Sequence, residues 1–171
     1  MLIESNTQKF LSTIFKYPTK GLTVREIARL IKVSPPTASS LAKNLEKKSL
    51  IRVKKERVQY KVFGNLENED FRKLKRIYNI FSLLDLTKFL IKNFKPNAVV
   101  VFGSYSKGED MEDSDVDVFV NSVVKKRVVL EKFEKKLNRG IHLHVRDIRK
   151  IPEELRKNII NGVILYGFLE C

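Results

Sequence analysis

Residues 98–120 read AVVVFGSYSKGEDMEDSDVDVFV and combine two apolar runs with two short polar motifs. The first run, residues 98–102, is wholly apolar, which is typical of a strand buried on both faces. Gly103-Ser104 follows it directly, and an acidic stretch at residues 109–113 precedes the second run. That run begins with two aspartates separated by one valine. We therefore predict two strands, with a Gly-Ser turn after the first and a carboxylate pair at the start of the second.

The carboxylate pair is formed by Asp115 and Asp117. Residues two apart in a strand point to the same face, about 6–7 Å apart at the backbone. Such a pair can hold one or two Mg²⁺ ions, which would bridge the phosphates of a nucleoside triphosphate. Gly103 lets the backbone approach those phosphates, and Ser104 offers an amide and a hydroxyl at a helix N-terminus. Lys107 is a further candidate for phosphate binding, and a solvated surface lysine is its alternative interpretation.

In this order and spacing the motifs resemble the nucleotidyltransferase superfamily that includes DNA polymerase beta, and most of all the minimal nucleotidyltransferases. The resemblance covers residues 70–171 and implies a mixed sheet flanked by helices. It also implies transfer of a nucleoside monophosphate from ATP, or another nucleoside triphosphate, with Mg²⁺ and with release of pyrophosphate. Asp115 and Asp117 would then be metal-binding and catalytic, and the nucleotide-binding residues would be Gly103, Ser104 and Lys107.

One part of the family pattern is missing. Active members carry a third carboxylate on a later strand, but here the strand at residues 141–145 presents His142 and His144 on its polar face. We take His144 as the third catalytic candidate, because an imidazole acts as a general base or ligates a softer metal. Two alternatives stay open: both histidines are merely exposed or hydrogen-bonded, or Asp147 replaces the acid.

The charge of the chain is uneven along its length. The 171 residues include 34 Lys and Arg against 20 Asp and Glu, a net charge of +14. Residues 1–65 hold 14 basic and 4 acidic side chains, whereas residues 96–171 hold 13 and 12. The first segment is therefore the better candidate for nucleic-acid binding. A lysine-rich solvated surface is the alternative.

The first segment shows a regular order of predicted elements. A helical stripe covers residues 7–17, and Thr23 with Glu26 forms a capping-box signature that opens a second helix. Ser34 and Pro35 suit the N-cap and first position of a third helix, which extends to about Lys48. Two alternating strands follow, joined by a turn at residues 54–57. This order over residues 1–65 resembles a winged helix-turn-helix domain.

The resemblance implies contact with double-stranded DNA by the third helix and by the turn, which would form the wing. A recognition helix needs short polar side chains for base edges and cations for phosphates. The alternative is a protein-docking module of the same shape. The predicted DNA-binding residues are Thr37, Ser39, Ser40, Lys43, Asn44 and Lys47 on the helix, and Lys54, Lys55 and Arg57 at the wing.

Residues 66–95 are predicted to be a connector, either one helix with a changing apolar face or two helices that meet near Ser82. Its first apolar stripe, from Phe71 to Leu84, is core or a homodimer contact.

Val129 is assigned to a later helix together with Leu130, Phe133 and Leu137. A single cysteine, Cys171, excludes an internal disulfide, and no apolar run is long enough to span a bilayer. We expect a cytoplasmic protein without a membrane partner.

The sequence thus predicts an α+β chain of three parts: a winged helix-turn-helix at residues 1–65, the connector at 66–95 and a nucleotidyltransferase-like domain at 96–171. The predicted function is a DNA-binding transcriptional regulator whose second domain binds Mg-nucleotide, with catalysis left open. The alternative is an active nucleotidyltransferase that modifies a protein or nucleic-acid acceptor, in the manner of an antitoxin. The missing third acid favours the first hypothesis.

Overall fold

The computed structural model describes residues 5–170, so Cys171, the single cysteine of the sequence, lies outside the described residues. The chain divides into two compact units, Met1–Lys75 and Arg76–Cys171. The boundary between them falls inside a continuous helix of the predicted connector. Each unit is an independent arrangement of helices around a small sheet.

The N-terminal unit contains three helices, a short strand and a β-hairpin before the helix that crosses the boundary. Its sheet is antiparallel with strand order β1-β3-β2. The elements are α1 (Asn6–Lys16), β1 (Leu22–Thr23), α2 (Val24–Ile31), α3 (Pro35–Lys47), β2 (Ile51–Glu56), β3 (Gln59–Gly64) and α4 (Glu69–Ser82).

The helix starts of this unit follow the capping signals of the sequence. Thr23 Oγ1 accepts a hydrogen bond from the Glu26 amide at 3.2 Å, and Glu26 Oε2 accepts one from the Thr23 amide at 2.7 Å. At the start of α3, Ser34 Oγ accepts from the Thr37 amide at 3.3 Å, with Pro35 at the first helical position. Each cap contributes about 1 kcal/mol to its helix. The helices then bury their apolar faces in one core, which includes Phe10, Ile14, Ile27, Ala38, Leu45 and Val62.

The hairpin differs from its prediction. The predicted turn at residues 54–57 is mostly strand, because β2 continues to Glu56 and pairs with Gln59. The true turn is Arg57-Val58, with Arg57 in the left-handed region at φ 54°. Val58, predicted to lie in a strand, is instead exposed at this turn. Strand β1 has only two residues, too few to leave an alternating pattern in the sequence.

The predicted connector forms two helices rather than one. Helix α4 ends at Ser82 and α5 spans Leu84–Phe94, so the break lies at the position that the sequence indicates. The residues of the apolar stripe predicted on α4 differ in burial. Phe71 is fully buried and its ring lies 5.2 Å from that of Phe15, whereas Ile77 is 64% exposed. Phe81 and Leu84 are exposed as well, with Leu74 less so.

The C-terminal unit is built on a four-stranded mixed sheet of order β6-β5-β4-β7. Strand β4 is antiparallel to both β5 and β7, and β5 is parallel to β6. After α5 the elements are β4 (Ala98–Phe102), α6 (Gly103–Lys107), β5 (Val116–Asn121), α7 (Glu131–Leu137), β6 (Ile141–Arg146), a 3₁₀ turn (Ile148–Lys150), α8 (Glu153–Ile160) and β7 (Val163–Gly167).

Helices cover both faces of this sheet, as the continuous apolar run of β4 predicts. On one face Val116, Val118 and Val120 pack with the buried side of α5 and with Phe133 of α7. On the other face Phe119 packs with Ile148, Ile151 and Ile159. The predicted α+β class with a mixed sheet flanked by helices is therefore correct. One detail is wrong: Val129 precedes α7 and is exposed, because the helix begins only at Glu131.

Candidate functional site

The two predicted carboxylates lie at the start of β5. Asp117 is the second residue of the strand, between Phe102 of β4 and His142 of β6. Asp115 lies just before the strand. Their side chains are 44% exposed for Asp115 and 32% for Asp117, so both carboxylates are open to solvent on one side.

The other side of each carboxylate faces a glycine. A Cβ at Gly103 would lie 2.7 Å from Asp117 Oδ2, and the backbone there has φ +72°, a conformation that side chains other than glycine rarely adopt. A Cβ at Gly140 would overlap Asp115 Oδ1. Both positions therefore need glycine for the carboxylates to keep these places. Gly103 is predicted from the sequence as a backbone approach to phosphate, whereas no local pattern in the sequence singles out Gly140.

The loop before Asp115 is held by a buried guanidinium. Arg139 Nη2 lies 2.9 Å from Asp110 Oδ2, with side chains 5% and 0% exposed. Arg139 Nη1 also donates to the carbonyls of Met111 and Ser114. The acidic stretch at residues 109–113 is thus anchored through Asp110 rather than fully solvated.

Neighbouring polar groups complete this anchor. Asn79 Nδ2 donates to Asp110 Oδ1 at 2.7 Å and to the Tyr105 carbonyl at 2.9 Å. The Tyr105 hydroxyl shares a hydrogen bond with Ser82 Oγ, and burial raises the pKa of this tyrosine. The carbonyl of Gly140, next to Arg139, accepts from the Val116 amide at 2.9 Å. Both sides of Asp115 are therefore fixed by the Arg139-Gly140 pair.

His142 contacts both carboxylates. Its Nε2 lies 3.3 Å from Asp115 Oδ2, and its Nδ1 lies 3.5 Å from Asp117 Oδ1. Only the doubly protonated imidazolium donates from both nitrogens at once. A cation bound between the carboxylates would compete with this ring for the same oxygens. The ring is also 63% exposed, so it has room to turn away.

The N-terminal unit presents the predicted DNA-binding residues on α3. Thr37, Ser40, Lys43, Asn44 and Lys47 are exposed, and Ser39 is half-buried. The opposite face of the helix is buried through Ala38, Ala42 and Leu45. Thr37 Oγ1 lies 2.7 Å from the N-cap hydroxyl of Ser34, so its side chain also takes part in the cap.

The hairpin presents Lys54, Lys55 and Arg57, all exposed. Lys54 is paired across the strands with Lys61, and Lys55 with Tyr60. Successive residues of a strand point to opposite faces, so Lys54 and Lys55 cannot both lie flat against one surface. A hairpin edge that enters a groove meets phosphates on both sides, and this geometry suits such an entry.

Comparison with known families assigns both parts of the chain. The sequence model described as "MarR family" matches residues 16–59. The one described as "Polymerase beta, Nucleotidyltransferase" matches residues 85–168. The chain joins a winged helix-turn-helix domain to a nucleotidyltransferase domain. No curated protein matches its sequence.

Within the nucleotidyltransferase domain, the histidine beside the carboxylates is His142 and not His144. Strand β6 places His142 level with Asp117 and places His144 two residues further, level with Phe119. The His144 ring lies 5.7 Å from that of Phe102. Both histidines share a face of β6, so the sequence identified the face but not the position. Asp147 follows the far end of β6 and does not replace the third acid.

The predicted nucleotide-binding residues all belong to α6. Gly103 and Ser104 open this short helix, where the first N–H groups have no acceptor within the helix. Ser106 Oγ donates to the Gly103 carbonyl at 2.8 Å and so fixes the turn. Lys107 is the last residue of α6 and is exposed.

The donor set of the site fits magnesium. Among residues 5–170, no group of three or more His, Cys, Asp or Glu side chains is arranged to hold a metal ion. Mg²⁺ commonly uses one or two protein carboxylates and takes its remaining ligands from substrate phosphates and water. Asp115 and Asp117 supply that number of hard oxygen ligands.

In the described part of the chain, no helix has the length and apolarity needed to cross a bilayer.

The buried Arg139–Asp110 pair yields a stability prediction. Asp110→Asn leaves the guanidinium buried without its counter-charge, and we expect the free energy of unfolding of the C-terminal unit to fall by about 3 kcal/mol. Asp113→Asn is the matched control, because Asp113 is exposed in the same loop, and it should change this free energy by less than about 0.5 kcal/mol. Chemical denaturation followed by circular dichroism measures both. Equal stability of the two variants would contradict the anchoring role.

Proposed function

We propose that the protein is a DNA-binding transcriptional regulator whose nucleotidyltransferase domain binds Mg-nucleoside triphosphate, with ATP as the representative ligand. The observation that carries the proposal is the placement of Asp115 and Asp117. Their carboxylates lie against the bare backbone of Gly103 and Gly140 and are open to solvent on the outer side. A Mg²⁺ ion held there would neutralise the phosphates, which this acidic surface otherwise repels.

The chain's own residues supply the other phosphate contacts in this proposal. The N–H groups of Gly103 and Ser104 at the start of α6 and the Ser104 hydroxyl are donors for phosphate oxygens. Lys107, at the other end of α6, adds a positive charge. A Mg²⁺ ion on these oxygens would compete with the His142 ring, which is exposed and has room to turn while its backbone stays level with Asp117.

A second candidate function, nucleotidyl transfer, is favoured by the position of His142. An acceptor hydroxyl would attack the α-phosphorus of the nucleotide, forming the new O–P bond while the bond to the β-phosphate oxygen breaks and pyrophosphate leaves. His142 would take the proton of the hydroxyl as general base. The acceptor would be a protein or a nucleic acid. A carboxylate at this position, which the family pattern expects, is absent.

The binding proposal predicts Mg²⁺-dependent ATP affinity that needs both aspartates. Asp115→Asn with Asp117→Asn should weaken ATP binding by about 10²–10⁴-fold, since interactions with charged groups contribute about 1.5–3 kcal/mol each. Isothermal titration with and without Mg²⁺ measures this. Gly140→Ala is a sharper variant, because its Cβ displaces the Asp115 carboxylate and leaves every charge in place. An intact protein that binds no ATP would refute the proposal.

The two candidate functions are separated by ATP labelled at the α-phosphate. Transfer of label to a component of cell extract, abolished in the double aspartate variant, would establish the enzyme. In that case His142→Gln should slow transfer by about 10²–10⁴-fold, the usual contribution of a general base. His144→Gln is the matched control on the same strand face and should leave transfer unchanged. Binding without any transfer supports the regulator.

The winged helix-turn-helix domain predicts a steep salt dependence of DNA binding. Lys43→Gln with Lys47→Gln should weaken binding to duplex DNA and reduce the slope of log K against log salt by about 2, because each neutralised phosphate contributes about one unit to that slope. Lys16→Gln on α1 is a control for an exposed lysine away from α3. Fluorescence anisotropy over a salt series measures the slope. A flat response of the unmodified protein would exclude this mode of DNA binding.

We further propose that the protein pairs with a second copy through the exposed apolar residues Ile77, Phe81 and Leu84. Exposed apolar side chains at helical spacing are common at interfaces between copies. Ile77→Glu places a charge in this stripe and should yield monomers with weaker DNA binding. Sedimentation equilibrium measures the mass, with Lys88→Glu on α5 as an exposed control. An unchanged mass would remove this stripe from consideration.

A further inference from the structure

A second concave surface lies at the opposite end of β5 from the aspartates. Strands β5 and β6 end side by side at Asn121 and Arg146. The loop after β5 and the residues after β6 enclose a cavity of about 680 Å³ between them. Asn121 lies four residues beyond Asp117, about 13 Å along the strand, so this cavity is separate from the Asp117 site.

Basic side chains from three segments converge on this cavity. Lys125, Lys126 and Arg127 come from the loop after β5, Arg146 from the end of β6 and Lys150 from the 3₁₀ turn. Lys126 donates to Asn93 Oδ1 at 2.7 Å. Within residues 5–170 the other four cations make no ion pair. We call these five residues the basic cleft.

The one carboxylate lining the basic cleft is already neutralised. Asp147 accepts two hydrogen bonds from the Arg149 guanidinium, at 3.1 Å from Nε and 2.9 Å from Nη2. These bonds, together with one from the Arg149 amide, lower the pKa of Asp147 to about 2. The carboxylate therefore stays paired at neutral pH. Its charge also acts on Lys150, but one carboxylate against five cations leaves the basic cleft with an excess of positive charge.

The surface continues beyond this cavity. A second cavity of about 210 Å³ shares Ser122, Val123, Val124 and Asp147 with the first, and its lining adds Lys95, Arg149 and Glu170. Its two cations face two carboxylates, so the excess of positive charge lies in the basic cleft, where five cations from three segments suit an extended anion better than a compact one. The valines that line the basic cleft offer apolar contact to the bases of an unpaired strand, a contact that a sulfate or phosphate ion cannot make.

We infer that the basic cleft binds single-stranded nucleic acid, with its phosphates on the five cations and its bases against Val124 and Val145. A duplex keeps its bases paired and stacked inside, so only an unpaired strand places its bases against these valines while its phosphates meet the cations. The site size is about four nucleotides, the lower end of the range for single-strand grooves. This site does not depend on Mg-nucleotide binding at Asp115 and Asp117, and it is distinct from the duplex-binding surface proposed for α3.

The test measures binding of a short fluorescent single-stranded oligonucleotide to the full chain carrying Lys43→Gln and Lys47→Gln, which suppress binding through α3. Adding Lys125→Gln and Arg127→Gln should lower the slope of log K against log salt by about 1.4, since each single-strand phosphate contact contributes about 0.7. At 0.1 M salt this corresponds to about 25-fold weaker binding. The matched control removes the same charge with Lys88→Gln and Lys92→Gln on α5, and it should bind as the parent protein does.

Three outcomes would overturn the inference. Equal weakening by the cleft variant and the α5 control would show general charge attraction without a site. Failure of the cleft variant to weaken oligonucleotide binding would also refute it. Unlabelled ATP without Mg²⁺ is the competitor that tests a mononucleotide site: if ATP displaces the oligonucleotide at equal phosphate concentration, the cleft takes a single nucleotide instead of a strand.

Discussion

The acidic end of the nucleotidyltransferase domain depends on one buried guanidinium. Arg139 is paired with Asp110 and donates to backbone carbonyls of the loop before β5. Removing both charges from water is costly, and the ion pair together with hydrogen bonds from Asn79 to Asp110 and from Arg139 to two carbonyls offsets that cost. The benefit is positional: the loop has no regular secondary structure, yet Asp115 occupies a defined place at its end. Flexible surface contacts would not hold a carboxylate to within the tolerance of a metal ion.

Local signals in the sequence predicted the elements well. The Thr23–Glu26 capping box and the Ser34-Pro35 start of α3 depend on residues three apart or closer, so the chain itself carries the complete signal. The apolar run of β4 and the start of β5 were predicted equally well as strands. The winged helix-turn-helix, the mixed sheet and the place of the carboxylate pair all follow from such short-range patterns.

The missed features depend on contacts distant in the sequence. Nothing near Arg139 indicates that its partner lies at Asp110 in another loop. His142 and His144 have identical local patterns, and only the register of β6 against β5 makes His142 the neighbour of Asp117. The two-residue turn at Arg57 was missed because Lys54 to Glu56 are polar on an exposed hairpin, where no buried face marks the strand. The net charge of residues 96–171 is uninformative for the same reason. It is close to zero, but acidic residues cluster near the start of β5 and basic residues cluster near its end.

The placement of the histidines gives the protein an internal spectroscopic reporter. The chain has two histidines in all, and both lie on one face of β6. The imidazole of His142 touches two carboxylates, whereas that of His144 faces the Phe102 ring. Only these two imidazole rings contribute histidine signals to an NMR spectrum, so the two signals can be assigned without isotope-selective labelling. A ligand that enters between the aspartates changes the surroundings of one ring, and the other, two residues away on the same strand, serves as its reference.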